Sequence, residues 1–118
     1  MKHTKGKWIA DIRTGCCAVY PEDRKDDTNG LSSDDSRNIF FSNKDSNYNG
    51  NYWEQSKEQR ANALLISKAP DMLELLVDLV NDFETDYVLN GEIVDNPNSL
   101  LKHVYFKSKE IIKELSIL

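Results

Sequence analysis

The sequence predicts an α+β fold: a small N-terminal antiparallel sheet of three or four strands, followed by three helices packed on one face. Three observations predict it. Apolar residues before Ser42 come in short runs separated by turn-rich polar sequence, whereas from Ser56 onward they recur at helical spacing. Breakers and start signals at Pro70, Asn90-Gly91 and Asn96-Pro97 divide that second part into three helices. The chain has 118 residues, of which 39% are hydrophobic, enough for one core without disulfides or metals. A single domain over 1–118 is therefore expected, with a β half at 1–54 and a helical half at 55–118.

The strand candidates are Trp8-Ile9-Ala10 with Ile12, Ala18-Val19-Tyr20, and Asn38-Ile39-Phe40-Phe41. Between the second and third lies 21–36, which carries Glu22, Asp23, Asp26, Asp27, Asp34 and Asp35 around Asn29-Gly30 and reads as a long acidic loop. A second polar stretch, 43–51, leads to Tyr52 and Trp53. Ser56-Lys57-Glu58-Gln59 fits a capping box, so a helix is expected from about Ser56 to Lys68, with Ala61, Leu64 and Leu65 as its apolar stripe. Pro70 ends that helix or opens the next. There Met72, Leu75, Leu76, Leu79, Val80 and Phe83 follow the i, i+3, i+4, i+7 rule, and Leu73 and Val77 widen the face enough to suggest two neighbours, one of them a second protomer. Asn90-Gly91 reads as a stop. Asn96 is the expected N-cap of a third helix, with Pro97 at its first position and Leu101, Val104, Tyr105, Ile112 and Leu115 marking its inner face.

Charge and composition exclude several functions. Fifteen basic against twenty acidic residues give a net charge of −5, which disfavours direct binding to duplex nucleic acid or to an anionic membrane surface. No signal peptide is expected after the basic Met1–Lys7 opening, and no run approaches the roughly 20 apolar residues of a membrane span. Cys16 and Cys17 are adjacent, a spacing that strains an intrachain disulfide, and read as reduced thiols in a cytoplasm. His3 and His103 stand far apart with no ligand-spaced neighbour, so no metal site and no cofactor are expected. Asp26-Asp27-Thr28-Asn29-Gly30 lacks the first carboxylate and the bidentate glutamate of a calcium loop. Phosphate-cradling glycine loops and a Gly-x-Ser-x-Gly element are missing from the sequence, and no catalytic residue can be named; the chain is not expected to be an enzyme.

Two segments carry a resemblance. His3-Thr4-Lys5-Gly6-Lys7-Trp8 and Arg60-Ala61-Asn62-Ala63-Leu64-Leu65-Ile66-Ser67-Lys68-Ala69-Pro70-Asp71-Met72-Leu73-Glu74-Leu75-Leu76 together resemble a widespread family of small phage and prophage proteins. That family opens His-Thr-x-Gly-x-Trp and continues Ala-Asn-Ala-x-Leu-Ile-x-x-Ala-Pro-x-(Leu/Met)-Leu. The chain departs mainly by Leu65-Ile66 with Ser67-Lys68 before Ala69-Pro70. The apolar positions of the second motif are explained by packing. His3, Thr4, Trp8, Arg60 and Asn62 are left over as candidate ligand-binding residues, provided the two motifs meet in space. Phage proteins of this strands-then-helices architecture are similar to anti-defence proteins, including sponges that sequester the cyclic nucleotide signals of immune systems such as Thoeris.

Three functions follow as expectations. The first is sequestration of a small nucleotide signal in a pocket near Trp8 and Arg60, with Lys5 or Lys7 against phosphate, in the cytoplasm of an infected or lysogenic host. The second is an anti-CRISPR type of inhibitor whose acidic loop mimics nucleic acid against a host defence protein. The third is a structural accessory protein that forms a homo-oligomer through the Met72 to Phe83 face.

Overall fold

The computed structural model describes residues 2–13, 16–24, 37–43 and 52–116. Of the acidic loop expected at 21–36, residues 25–36 with Asn29-Gly30 lie outside them, as do residues 44–51 of the polar stretch expected at 43–51 and the side chains of Tyr52, Trp53 and Ser56. Pro21 is instead part of a strand, Glu22–Arg24 form a 3-10 turn and Asn43 ends a strand. The fold is α+β: a three-stranded antiparallel sheet followed by three helices. It divides into two compact units, Thr4–Pro70 and Met1–His3 with Asp71–Leu118.

In the first unit, β1 (Trp8–Arg13), β2 (Cys16–Pro21) and β3 (Phe40–Asn43) form a meander in the order β1-β2-β3, with Trp8 opposite Pro21 and Val19 opposite Phe40. A single 3-10 turn, Glu22–Arg24, follows β2. The middle strand is buried on both faces, because Cys17 and Val19 point to one side and Ala18 and Tyr20 to the other. Cys17 and Val19 join Ala63 of α1 (Tyr52–Ser67) in a core flanked by Trp8, Ile12, Ile39, Phe40 and Ile66. On the other side the Tyr20 hydroxyl donates to Asp11 Oδ2 at 2.8 Å, a diagonal cross-strand pair. Cys17 is unbridged, 1% exposed, and its thiol donates to the Gln59 carbonyl at 3.5 Å, the environment of a packing residue.

Helix α1 corrects two expectations. It begins at Tyr52, so Ser56 lies inside it rather than at its cap; Tyr52 to Gln55 contain no breaker. Its inward face is also rotated. Ala61, Leu64 and Leu65 are exposed, while Ala63 and Ser67 are buried and Ile66 is half-buried. Small Ala63 lets the helix approach the sheet. Ser67 tolerates burial because its hydroxyl donates to the Leu64 carbonyl at 2.7 Å.

Only Lys68 separates α1 from α2 (Ala69–Tyr87), with Pro70 in the first turn of α2, where its missing N–H costs no helical bond. In this second unit α2 pairs with α3 (Ser99–Leu115) around Val80, Phe83 and Tyr105, flanked by Leu79, Tyr87, Val88, Leu101 and Ile112. The Phe83 and Tyr105 rings stack at 4.0 Å. The Tyr105 hydroxyl donates to Glu84 Oε1 at 2.8 Å, and Lys109 Nζ lies 3.4 Å from the same oxygen. The Tyr105 bond, followed by Lys109, holds the Glu84 carboxyl below its ordinary range; bonds to Tyr105 and Glu84 raise Lys109.

Asn90-Gly91 is more than a stop. Asn90 at φ 54° and Gly91 at φ 81° form a two-residue turn joining β4 (Val88–Leu89) to β5 (Glu92–Ile93), and the Val94 N–H donates to the Tyr87 carbonyl to extend the pairing. The cap of α3 is Asn98, not Asn96: the Asn98 side chain accepts the Leu101 N–H at 2.7 Å. Asn96 has φ 44°, outside the extended region an N-cap needs, and with Asp95 at φ 62° it turns the chain into buried Pro97.

Candidate functional site

The meander topology gathers three segments at one end of the sheet. The residues before β1, after β2 and before β3 emerge side by side, and two bonds carry the ladder past the strand ends. Glu22 N–H donates to the Lys7 carbonyl at 2.9 Å, and Ile39 N–H donates to the Val19 carbonyl at 2.7 Å. Between these segments lies a cleft of about 520 Å³ lined by Thr4, Lys5, Pro21, Asp23, Arg37, Asn38 and Ile39. A smaller one of about 380 Å³ adjoins it, sharing Lys5 and Asp23 and adding Gly6, Lys7 and Glu22.

The opening motif shapes this end. Gly6 has φ 89°, a left-handed conformation that favours glycine, and the Trp8 indole N–H closes the turn by donating to the Thr4 carbonyl at 3.1 Å. Space is not what demands glycine there, since a Cβ would meet nothing within 4 Å. The Trp8 ring is half-buried against the Cys17, Val19 and Ala63 core, so the indole is used for packing and for fixing the loop that presents Thr4 and Lys5.

The five candidate residues are thus distributed unequally. Thr4 lines the cleft and is bonded to Trp8, which supports it from behind. Arg60 is half-buried on α1, its Nε enclosed without a hydrogen-bond partner among the described residues, and Asn62 is exposed on α1; neither lines the cleft. His3 is exposed and belongs to the other compact unit.

Asp23, Arg37 and Asn38 are not expected at a ligand site from the sequence, which assigns Asp23 to the acidic loop and Asn38 to the third strand. The signal available was topological: in a meander, whatever follows the second strand and precedes the third must join the residues before the first. Chemically, the cleft offers two cations, one carboxylate, an amide and a hydroxyl beside the apolar Pro21 and Ile39. That set suits a polar ligand carrying phosphate together with hydroxyl or base-edge groups. Among the described residues no three His, Cys, Asp or Glu side chains are grouped to hold a metal, and no helix is long and apolar enough to cross a membrane.

No curated protein and no solved structure matches the chain. Residues 1–111 match the family model described as Salmonella phage P22 protein Y8K6, and the chain belongs to that family of phage proteins.

Proposed function

We infer that this is a phage-encoded, non-catalytic binding protein. It acts in the cytoplasm of the infected or lysogenic bacterium and sequesters a small anionic immune signal of the cyclic nucleotide class. The observation that carries this reading is the cleft at the sheet end. Its volume of about 520 Å³ falls within the range of small-molecule sites, and Lys5 and Arg37 supply the charge that phosphate requires. Asp23 and Asn38 can meet ribose hydroxyls or a base edge, while Pro21 and Ile39 give an apolar wall. Membership of a phage protein family supports the setting, and a net charge of −5 argues for a small phosphorylated ligand over a long nucleic acid.

The test is a panel of cyclic and linear nucleotides, cyclic ADP-ribose isomers included, scored by thermal stabilisation and by the ligand recovered after denaturation. Ligand at a hundredfold excess over its Kd stabilises by about 2.7 kcal/mol. The expected result is a shift for at least one cyclic nucleotide, intact recovery, and loss of the shift in Lys5→Ala and Arg37→Ala. A flat panel refutes the reading, and recovery of a converted nucleotide refutes its non-catalytic part.

A further inference from the structure

We propose that the α2–α3 hairpin pairs face to face with the hairpin of a second copy of this chain, forming a four-helix dimer in which α2 lies against α3 of the partner. The first ground is an apolar side left uncovered. Glu84 and Lys109 meet on one side of the hairpin. Leu75 precedes Glu84, and Leu100 precedes Lys109, by nine residues, which is two and a half turns at 3.6 residues per turn. Both leucines therefore lie on the side opposite the ion pair, and they are 68% and 71% exposed. Ile111 and Leu115, eleven and fifteen residues after Leu100, extend its stripe along α3 and are exposed as well. Among the described residues of the two helices, the fully buried apolar side chains are Val80, Phe83 and Tyr105, with Ser108 buried beside them and Leu79, Tyr87, Leu101 and Ile112 half-buried around them, a small core for two helices of 19 and 17 residues.

The occupant follows from charge. Helix α2 carries Asp71, Glu74, Asp78, Asp82, Glu84 and Asp86 with no Lys or Arg; α3 carries Lys102, Lys107, Lys109 and Lys113 against Glu110 and Glu114. Two hairpins can meet by a two-fold axis in two ways. An axis across the helices sets α2 on α2, acid against acid. An axis along the helices sets α2 antiparallel to α3 of the partner, acid against base, and buries Leu75 of α2 and the Leu100, Ile111 and Leu115 stripe of α3 in two equivalent seams. A second copy thus supplies both the missing apolar cover and the opposite charge.

Sedimentation equilibrium of the full chain tests this, with far-UV circular dichroism as the control for folding. The expected result is a dimer at micromolar concentration that Leu75→Glu and Leu100→Glu each convert to a folded monomer. Lys107→Glu should weaken the dimer at least tenfold, with Asp82→Lys restoring it in the double variant. A monomer at 100 µM, or a dimer indifferent to both leucine substitutions, overturns the proposal and leaves the face to a different protein. A dimer that Lys107→Glu does not weaken overturns the α2-on-α3 arrangement. Measurements without nucleotide keep this result separate from the fate of the cleft.

Discussion

Replacing Ala63 with leucine tests the orientation of α1 on the sheet. Ala63 is 0% exposed against Cys17 and Val19. Three added carbons would gain about 0.8 kcal/mol each if space existed, but a close-packed interior offers none. The helix must then lift from the sheet, at a cost of about 1–3 kcal/mol. Leu65→Ala is the opposing experiment. Leu65 is 61% exposed, so its truncation removes only the smaller part of the roughly 1.5–3 kcal/mol that full burial of a leucine is worth, at most about 1 kcal/mol. Urea denaturation followed by circular dichroism separates the two, since a slope of about 1–3 kcal/mol per molar converts the difference into a displaced midpoint. A larger loss for Leu65→Ala than for Ala63→Leu would refute the structure's orientation and restore the amphipathic face through Leu64 and Leu65.

Three further outcomes follow from single contacts. Phe83→Ala, which removes a ring 3% exposed and stacked on Tyr105, should cost about 3–5 kcal/mol in the same denaturation assay. Asn98→Ala should cost about 1 kcal/mol and Asn96→Ala clearly less, because Asn98 is the residue that caps Leu101. Glu84, held below its ordinary 4.5 by Tyr105 and Lys109, contributes stability that is present above that value and lost as pH falls through its lowered pKa. The Glu84 and Lys109 side chains are both more than a third exposed, so the contribution stays below about 1 kcal/mol. In Tyr105→Phe the carboxyl, followed by NMR titration, should move upward and the stability lost below pH 4.5 should shrink.

The strands were legible because short apolar runs between polar stretches have few other readings, and the three helices because Pro70 and Asn96 to Ser99 punctuate them. The rotation of α1 was not. Spacing favours burying Leu64 and Leu65, but a helix seated on a three-stranded sheet with Cys17 and Val19 at its centre needs a small residue at the closest approach, and Ala63 meets that need. The hairpin at Asn90-Gly91 was encoded in the dipeptide, yet strands of two residues each leave no alternation to detect. At the cleft, Thr4 and Lys5 were visible in the opening motif. Asp23, Arg37 and Asn38 were not, because the strand order that gathers them is a property of pairing and not of any local pattern. Trp8 stood among the candidate ligand-binding residues, whereas its ring packs on the core and its N–H closes the Gly6 turn.

The most direct test of the sheet-end cleft is a two-dimensional amide NMR titration of the isotopically labelled full chain with the cyclic nucleotide that stabilises it most. Binding at the cleft predicts saturable shifts concentrated at Thr4 to Lys7, at Glu22 and Asp23, and at Arg37 to Ile39, all absent in Arg37→Ala. Saturable shifts centred on Arg60 and Asn62, or none at all, would contradict it.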